Sequence, residues 1–487
     1  MNGPRQVNDE EENNIWIRLG RPRLVVAPMV DASELAWRLL SRAHKAQLCY
    51  SPMFHSAIFI KDARYRREAL ASSPHDRPLI IQFCGNDPDT ILAAAKLAEP
   101  HCDAIDLNLG CPQAIAKRGN YGAFLQDDWN LLEKIVKTLR AELNVAVTCK
   151  VRIFENIEKT IQYAKMLEKA GCQMLTVHGR TREQKGPLTG IASWRHIREV
   201  RKNVNIPVLA NGNIQCLYDV ERCLAETGCN GVMSAEGNLY NPYIFEGVYP
   251  PAWEPALEYL DLVQQYPCPT SYTRGHLFKI FHQLFTLEEN TEIREEIAKG
   301  SGIEDFRSAV LKLKSKYLPI HEGHVIWDTP STSYDLKLPP WLCQPYVRIS
   351  PDDHIKKMEQ KKKEESVNIE KENCKNSLSN KRYADDGGQE ILGLSKKKLK
   401  KLLRCSNKKT SLNPHCRKEV TICTLCPNPM GLKCISSLCK SCCRNKCYLE
   451  EADCPGHGIL IKTRREKARK LSEMKKEDIN NEMESNR

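Results

Sequence analysis

Nine residues between positions 423 and 457 have the types and spacing of metal ligands: Cys423-x2-Cys426, Cys434, Cys439-x2-Cys442-Cys443, Cys447 and Cys454-x2-His457. Two ligands separated by two residues can grip one tetrahedral ion from a tight turn, and three such pairs within 35 residues supply two zinc sites. Nine ligands exceed the eight that two closed sites need, so Cys447 or Cys443 is the expected spare; spacing does not give the pairing. The segment holds almost no apolar core, so its fold is expected to depend on zinc. Eight of the 22 cysteines lie here, and the polar, acidic N-terminus has no apolar stretch of signal-peptide type. A reducing compartment, cytoplasm or nucleus, is therefore expected, with paired cysteines acting as ligands and not as disulfides.

The second chemical motif is Asn108-Leu109-Gly110-Cys111-Pro112-Gln113, where a thiol emerges from an apolar run into a loop framed by Gly and Pro. Taken alone, a cysteine is more often a buried apolar filler. The elements around it decide. From residue 24 to 236 eight apolar, β-rich runs alternate with amphipathic segments: LVVAPMV, LCYSPMF, PLIIQFCG, AIDLNLGCP, VAVTCKVRI, MLTVHGR, IPVLANGN and GVMSAE. Near-continuous apolar strands alternating with helices imply parallel strands covered by helices. Eight such units fit an α/β fold, a (β/α)8 TIM barrel, better than an open eight-stranded sheet. Polar and special residues sit at the C-terminal ends of these runs: Pro28, Met29, Gln82, Asn108, Cys111, Lys150, Arg152, His178, Arg180, Asn211 and Asn213. Barrel enzymes build their sites at that rim, and Lys150 and His178 are poor turn formers, so the pattern is expected to be a site.

The remaining chain changes character twice. Apolar periodicity in ALEYLDLVQQY, GHLFKIFHQLF and EDFRSAVLKLKSKY predicts a small helical domain. Residues 1 to 350 carry 41 basic and 41 acidic side chains, whereas 351 to 487 carry 32 and 20, so the whole net charge of +12 belongs to the tail. A basic partner-binding tail on a neutral body follows. The expected partition is a flexible N-terminus (1–19), a catalytic barrel (20–247), a helical domain (248–345), a disordered basic linker (346–412) ending near the basic run SKKKLKKLLR (395–404), a Cys-rich zinc module (413–460) and a charged tail (461–487). That run suits an import signal or an RNA contact equally. No apolar run approaches the roughly 20 residues of a membrane span, and a monomer is expected.

The motifs together resemble a known family. AIDLNLGCP followed by AKRGNYGAFL, with VAPMVDASELAWR before and CKVR, VHGRT, ANGNI and GVMSAEGN after, is similar to the tRNA-dihydrouridine synthases from about residue 20 to 247. LCYSPMFHSAIF, FLQDDWNLL, EQKGPL and the Cys-rich tail ending ADCPGHG resemble the eukaryotic type 1 branch, which acts at positions 16 and 17 of the tRNA D-loop. The resemblance implies an FMN-dependent oxidoreductase: NADPH or NADH reduces the flavin, hydride passes to uracil C6, and an acid protonates C5. It places Cys111 as that acid, and a thiol with an ordinary pKa near 8.5 is still protonated at neutral pH. It places Pro28, Met29 and Val30 along the flavin, Gln82 at its N3/O4 edge and Lys150 at its N1/O2 side, where positive charge favours the reduced form. Asn108 is expected to hold substrate or flavin, with His178, Arg180 and Arg152 meeting the flavin phosphate or the incoming nucleotide.

The phosphate is expected over the seventh and eighth strands, on Asn211, Gly212 and Asn213 and on Ala235 and Glu236. Many members carry Gly-Arg where this chain has Ala235-Glu236, so Glu236 is expected to point away. Lys117 and Arg118 are candidate contacts for tRNA around an extruded base, while Tyr121 and Phe124 suit either base stacking or loop packing. Fold alone does not separate this reading from an FMN barrel acting on a free pyrimidine or other small molecule, or from a non-catalytic RNA-binding scaffold. The basic tail and helical domain speak against the first, and the presence of Cys111, Lys150 and His178 against the second.

Overall fold

Strands buried on both faces sort their residues by a period of two, one set facing the barrel interior and the other the helices. The computed structural model describes residues 14–327, 338–346, 348, 350–358, 360, 422–426, 430–431, 434–466 and 469; the basic run 395–404 and most of the linker lie outside them. The chain divides into two units, Met1–Ser379 and Asn380–Arg487. In the first, β1 (Leu24–Val26), β2 (Leu48–His55), β3 (Leu79–Cys84), β4 (Ala104–Leu109), β5 (Ala146–Arg152), β6 (Met174–His178), β7 (Val208–Asn211) and β8 (Gly231–Ser234) pair in parallel in chain order, and β1 closes onto β8. The expected (β/α)8 barrel is therefore present. Leu79, Ile81 and Phe83 of β3 join the layer between strands and helices, while Ile80 joins an interior floor with Val25, Leu48, Ala104, Ala146, Met174, Leu209 and Met233.

That floor begins earlier than expected. Ile15–Arg18 is a helix capped by Asn14, and Ile15 and Leu19 are buried against the floor residues, so at least residues 15 to 19 belong to the barrel and not to a flexible N-terminus. The covering helices start where side chains satisfy free backbone N–H groups: Asp87 accepts from Thr90 N (2.9 Å), Asp128 from Leu131 N (3.1 Å) and Asn156 from Lys159 N (2.9 Å).

Among the described residues, the helices Trp253–Gln265, Thr270–Ile280, Thr291–Lys299 and Ile303–His321 pack together after the barrel, and their core takes in Trp37 and Leu40 from the barrel helix Leu35–Ala43. Polar contacts fix this junction: His276 Nε2 lies 3.1 Å from Glu34 Oε2, Tyr259 Oη donates to Glu34 Oε1 at 2.5 Å, and the Trp37 and His276 rings stack at 3.9 Å.

The chain then returns to the barrel as a strap. Trp341 and Cys343 are buried, Cys343 N donates to Pro250 O (2.8 Å), Gln215 Nε2 donates to Tyr346 O (3.1 Å), and Tyr346 stacks on Tyr240 at 5.2 Å. Ser350 then caps a helix over 351–358 by accepting from Asp353 N at 3.1 Å. Residues 346, 348 and 350–358, expected to be linker, are thus part of this strap and helix, because a few anchoring side chains outweigh a polar average composition. The second unit, taken by itself, contains the helix Lys440–Leu449 and the antiparallel pair Asp453–Cys454 and Ile459–Leu460.

One buried ion pair sets the exit of β1. Arg38 Nη2 lies 2.6 Å from Asp76 Oδ2, Arg38 Nη1 donates to Ser33 O (2.7 Å), and Ser33 Oγ lies 3.0 Å from both Met29 N and Met29 O. Asp76→Ala would leave the guanidinium buried with no counter-charge, so denaturant unfolding should show a loss of roughly 3–5 kcal/mol. A change well under 1 kcal/mol would show that the pair is dispensable.

Candidate active site

At the C-terminal end of the barrel the interior set turns from apolar to polar. Asp106 and Asn108 follow Ala104 on β4, Thr148 and Lys150 follow Ala146 on β5, Thr176 and His178 follow Met174 on β6, and Asn211 follows Leu209 on β7. A continuous chain of hydrogen bonds runs through them. Thr148 Oγ1 donates to Asp106 Oδ1 (2.6 Å), Gln82 Nε2 donates to Asp106 Oδ2 (2.7 Å), and Asn108 Nδ2 donates to Gln82 Oε1 (2.7 Å). Asn108 Oδ1 then accepts from Gly110 N (3.1 Å) and Cys111 N (3.0 Å). Each amide's orientation is dictated by its neighbour, because the ionised carboxylate at the end only accepts.

This chain places Cys111. Its carbonyl accepts from Ala123 N (3.1 Å), and Gly122 sits against it at φ +65°, where a β-carbon would come within 2.8 Å of the Cys111 oxygen. Only glycine combines that angle with that approach. Around the half-buried Cys111 pack Met53, Cys84, Ala116, Tyr121 and Phe124, so the two aromatics serve the loop; Tyr121 is 5% exposed. Lys117 and Arg118 stand exposed on the helix Ala114–Gly119. Pro28 and Met29 are half-buried at the end of β1, and Val30 is exposed.

Burial shapes the charges. It pushes the Asp106 carboxyl up to about 6, against hydrogen bonds from Thr148 and Gln82 and the charge of Lys150. It pulls Lys150 down to about 8, helped by Arg152 and opposed by Asp106 and Cys111; Lys150 Nζ donates to Asn211 Oδ1 at 3.0 Å. His178 falls well below its ordinary value through burial and the charges of Lys150, Arg152 and Arg180, so it is neutral at pH 7. Arg180 Nη1 lies 3.0 Å from His178 Nε2, which must accept, leaving the proton on Nδ1.

Two expected substrate contacts have mainly structural partners. Arg152 donates to Gly110 O (2.7 Å), Thr181 O (2.8 Å) and Gln184 O (3.1 Å), bracing the Cys111 loop against the loop after β6. Arg180 donates to Gly190 O (2.9 Å) and Asn213 Oδ1 (2.5 Å).

A cavity of about 1050 Å³ lies beside these residues, lined by Arg152, His178, Arg180, Asn211, Gly212, Asn213, Ala235 and Glu236, all expected at the site. Cys111 and Lys150 adjoin it through Pro112 and Asn211, which line it. Gly212 at φ +116° and Asn213 at φ +61° turn the chain after β7, and a β-carbon on Gly212 would come within 2.7 Å of Ala192 Cβ. Glu236 does not point away. It lines the cavity and is ion-paired with Arg348 of the strap, which removes the need to avoid the site. Asp106, Thr148, Lys185 and Arg348 join the site without being among the residues expected from the sequence. Asp106 alone had a signal, an acid in an apolar run sharing the parity of Asn108.

In the second unit the ligands form two groups of four, Cys423, Cys426, Cys439 and Cys442, and Cys434, Cys443, Cys454 and His457, with all ligand atoms of a group within 4.8 Å of one another. The groups interleave along the chain, and the neighbours Cys442 and Cys443 serve different ones. Cys447 is the spare, buried with its Sγ 3.9 Å from Cys443 Sγ. His457 Nδ1 lies 3.7 Å from Cys454 Sγ, and Gly431 packs so closely on the ring that a β-carbon would come within 2.2 Å of Nε2.

Comparison with known proteins gives the same direction. The family model described as Dihydrouridine synthase (Dus) matches residues 25–314. The chain is 52% identical over 456 residues to a Mus musculus protein named tRNA-dihydrouridine(16/17) synthase [NAD(P)(+)]-like, covering 93% of this chain and 91% of that one. A Schizosaccharomyces pombe protein named tRNA-dihydrouridine(16/17) synthase [NAD(P)(+)] is 45% identical over 361 residues, covering 69% of this chain and 90% of its own.

The raised Asp106 pKa has a measurable sign. Between pH 3.8 and about 6 the folded carboxyl keeps a proton that the unfolded one has released, so its contribution to stability is present below pH 3.8 and is lost as pH rises through 6. Asp106→Asn should remove that fall, seen as a difference in unfolding free energy between the two proteins that changes from pH 4 to 6. Parallel pH profiles would contradict it.

Proposed function

Since the chain belongs to the dihydrouridine synthase family, we propose that this oxidoreductase reduces uridines of tRNA to 5,6-dihydrouridine with NAD(P)H, at D-loop positions 16 and 17, as the names of its relatives suggest. The observation that carries the reading is the hydrogen-bonded chain from Asp106 to the Cys111 backbone, which holds a thiol at the rim beside a cationic cavity.

The residues present fit a flavin mononucleotide. Gln82 has one amide proton and one carbonyl lone pair left after bonding Asp106 and Asn108, suited to a pyrimidine-type edge. Lys150 has two further ammonium protons beyond the one given to Asn211, and its charge favours an anionic group in front of it. The phosphate would be held by Asn211, Gly212, Asn213 and Arg180 at the end of the cavity, with His178 neutral beneath them. When bound, the flavin supplies hydride, drawn from NAD(P)H, to C6 of the uracil. Cys111 gives its thiol proton to C5: the S–H bond breaks, a C5–H bond forms, and the thiolate regains a proton from water. Asn108 fixes the loop from which that proton leaves.

A uridine inside folded tRNA must be extruded to reach this rim. Lys117 and Arg118, exposed on the helix after the Cys111 loop, are placed to meet neighbouring phosphates, and the four-helix region and basic tail are proposed as further tRNA contacts. The two ligand groups of the second unit suit zinc, since thiolate and imidazole donors in fours match its tetrahedral preference. Apart from cysteines, the buried apolar residues among those described there are Leu438 and Ile459, so the ions would carry the fold.

Metal analysis of the purified protein should return two zinc ions per chain, Cys443→Ser should lose about one, and Cys447→Ser should keep both. Equal loss from both variants would overturn the pairing. Cys111→Ala should retain FMN and NADPH oxidation while dihydrouridine in tRNA, measured by mass spectrometry, falls by about 10²- to 10⁴-fold. An unchanged yield would remove Cys111 from the acid role.

A further inference from the structure

We propose that Arg348, delivered to the barrel rim by the strap, is the cation that completes the phosphate end of the cavity, with Glu236 orienting it. The inference rests on the flavin reading above and assigns the phosphate to the flavin.

The cavity is lined by four cationic side chains, Arg152, Arg180, Lys185 and Arg348, against the carboxylates of Glu236 and Asp352. All four spend donors on the protein, and Arg348 keeps the most in hand. Arg152 braces Gly110, Thr181 and Gln184, Arg180 holds Gly190, Asn213 and His178, and Lys185 Nζ donates to Pro112 O at 2.9 Å. Arg348 differs. Its Nε donates to Glu236 Oε2 at 3.1 Å and its Nη2 to Glu236 Oε1, and a guanidinium has five N–H groups, so three remain to meet a ligand.

Glu236 explains why the arginine is needed. A carboxylate at the second phosphate loop would repel a phosphate, and the side-by-side pair with Arg348 cancels its charge while fixing the plane of the guanidinium. Burial lowers the Arg180 pKa, with Glu236 opposing and Arg348 adding to the fall, so the three charges share one neighbourhood. The strap is also held in place on both sides of Arg348. Tyr346 stacks on Tyr240 and takes a hydrogen bond from Gln215, the Arg348 guanidinium lies 5.5 Å from the Tyr346 ring centre, and Pro351 packs near Gly190. Arg348 lies outside the family-matched residues 25–314, so a segment beyond the matched region supplies this charge.

The test uses full-length protein freed of flavin, titrated with FMN and with riboflavin by flavin fluorescence, in wild type, Arg348→Met, Arg348→Lys and Glu236→Gln. Arg348→Met should weaken FMN by about tenfold to a hundredfold, the range of one charge-assisted hydrogen bond, while riboflavin binding stays the same. Arg348→Lys should recover part of the loss. Glu236→Gln keeps the cation and an amide oxygen that can still accept from and orient it, while the carboxylate's repulsion of the phosphate is removed, so it should hold FMN at least as well as wild type. Equal weakening by Arg348→Met and Glu236→Gln would mean that the pair merely anchors the strap, and would overturn the proposal. So would an Arg348→Met protein that keeps its FMN affinity but binds tRNA less tightly in a filter assay, which would assign the cation to an RNA phosphate. Wild-type protein that binds neither flavin would instead bring down the flavin reading, and this inference with it.

Discussion

A buried carboxylate can only accept hydrogen bonds while ionised, and the orientation of the rim follows from that constraint at Asp106. Gln82 must turn its NH2 toward Asp106, so its carbonyl faces Asn108; Asn108 must then offer its own NH2, so its carbonyl faces the backbone N–H groups of Gly110 and Cys111. Reversing one amide would set donor against donor at the next step. Three adjacent strands, β3, β4 and β5, are thereby tied to one loop, and the loop's thiol inherits a fixed position from a residue five places earlier in the chain. Positioning of this kind matters because proton transfer depends on reach before it depends on acidity.

The same end of the barrel concentrates positive charge. Lys150, Arg152 and Arg180 each lower the pKa of His178, and Arg152 lowers that of Lys150. A protein does not gather cations in a partly buried place without cost, since each disfavours the others. The arrangement is favourable once an anion is shared among them. Two neutralising groups are already present, Asp106, whose charge acts on Lys150, and Glu236, ion-paired with Arg348. The first belongs to the strand interior, the second to a contact between β8's exit and the returning strap.

Much of this was legible in the sequence, for a physical reason. Strands covered on both faces give long apolar runs, and the exceptions at their ends, Lys150, His178 and Asn211, stand out against them. Asp106 has a weaker signal, one acid inside AIDLNL that shares the parity of Asn108. Arg348 carried no local signal: it lies 112 positions from its partner, in a stretch whose average composition resembles a linker. The metal ligands were recognisable by spacing, but their pairing was not. Spacing shows which residues can turn toward an ion, whereas the interleaving arises because the helix Lys440–Leu449 directs Cys442 and Cys443 to different groups.

The two units therefore depend on different forces. The barrel and its helices bury extensive apolar clusters, so the polar rim can hold strained and like-charged groups without threatening the fold. Among the described residues of the cysteine unit, Leu438 and Ile459 are the buried apolar side chains besides the cysteines, and ligand groups drawn from interleaved positions mean that neither half closes alone. Cys434 lies between the two pairs of the first group, and Cys443 follows directly after the last member of that group. With zinc held as proposed, losing one ion would release the helix from one side and loosen the ligands of the other. Cooperative folding in such a unit comes from shared backbone between two ligand sets, where the barrel obtains it from a shared core.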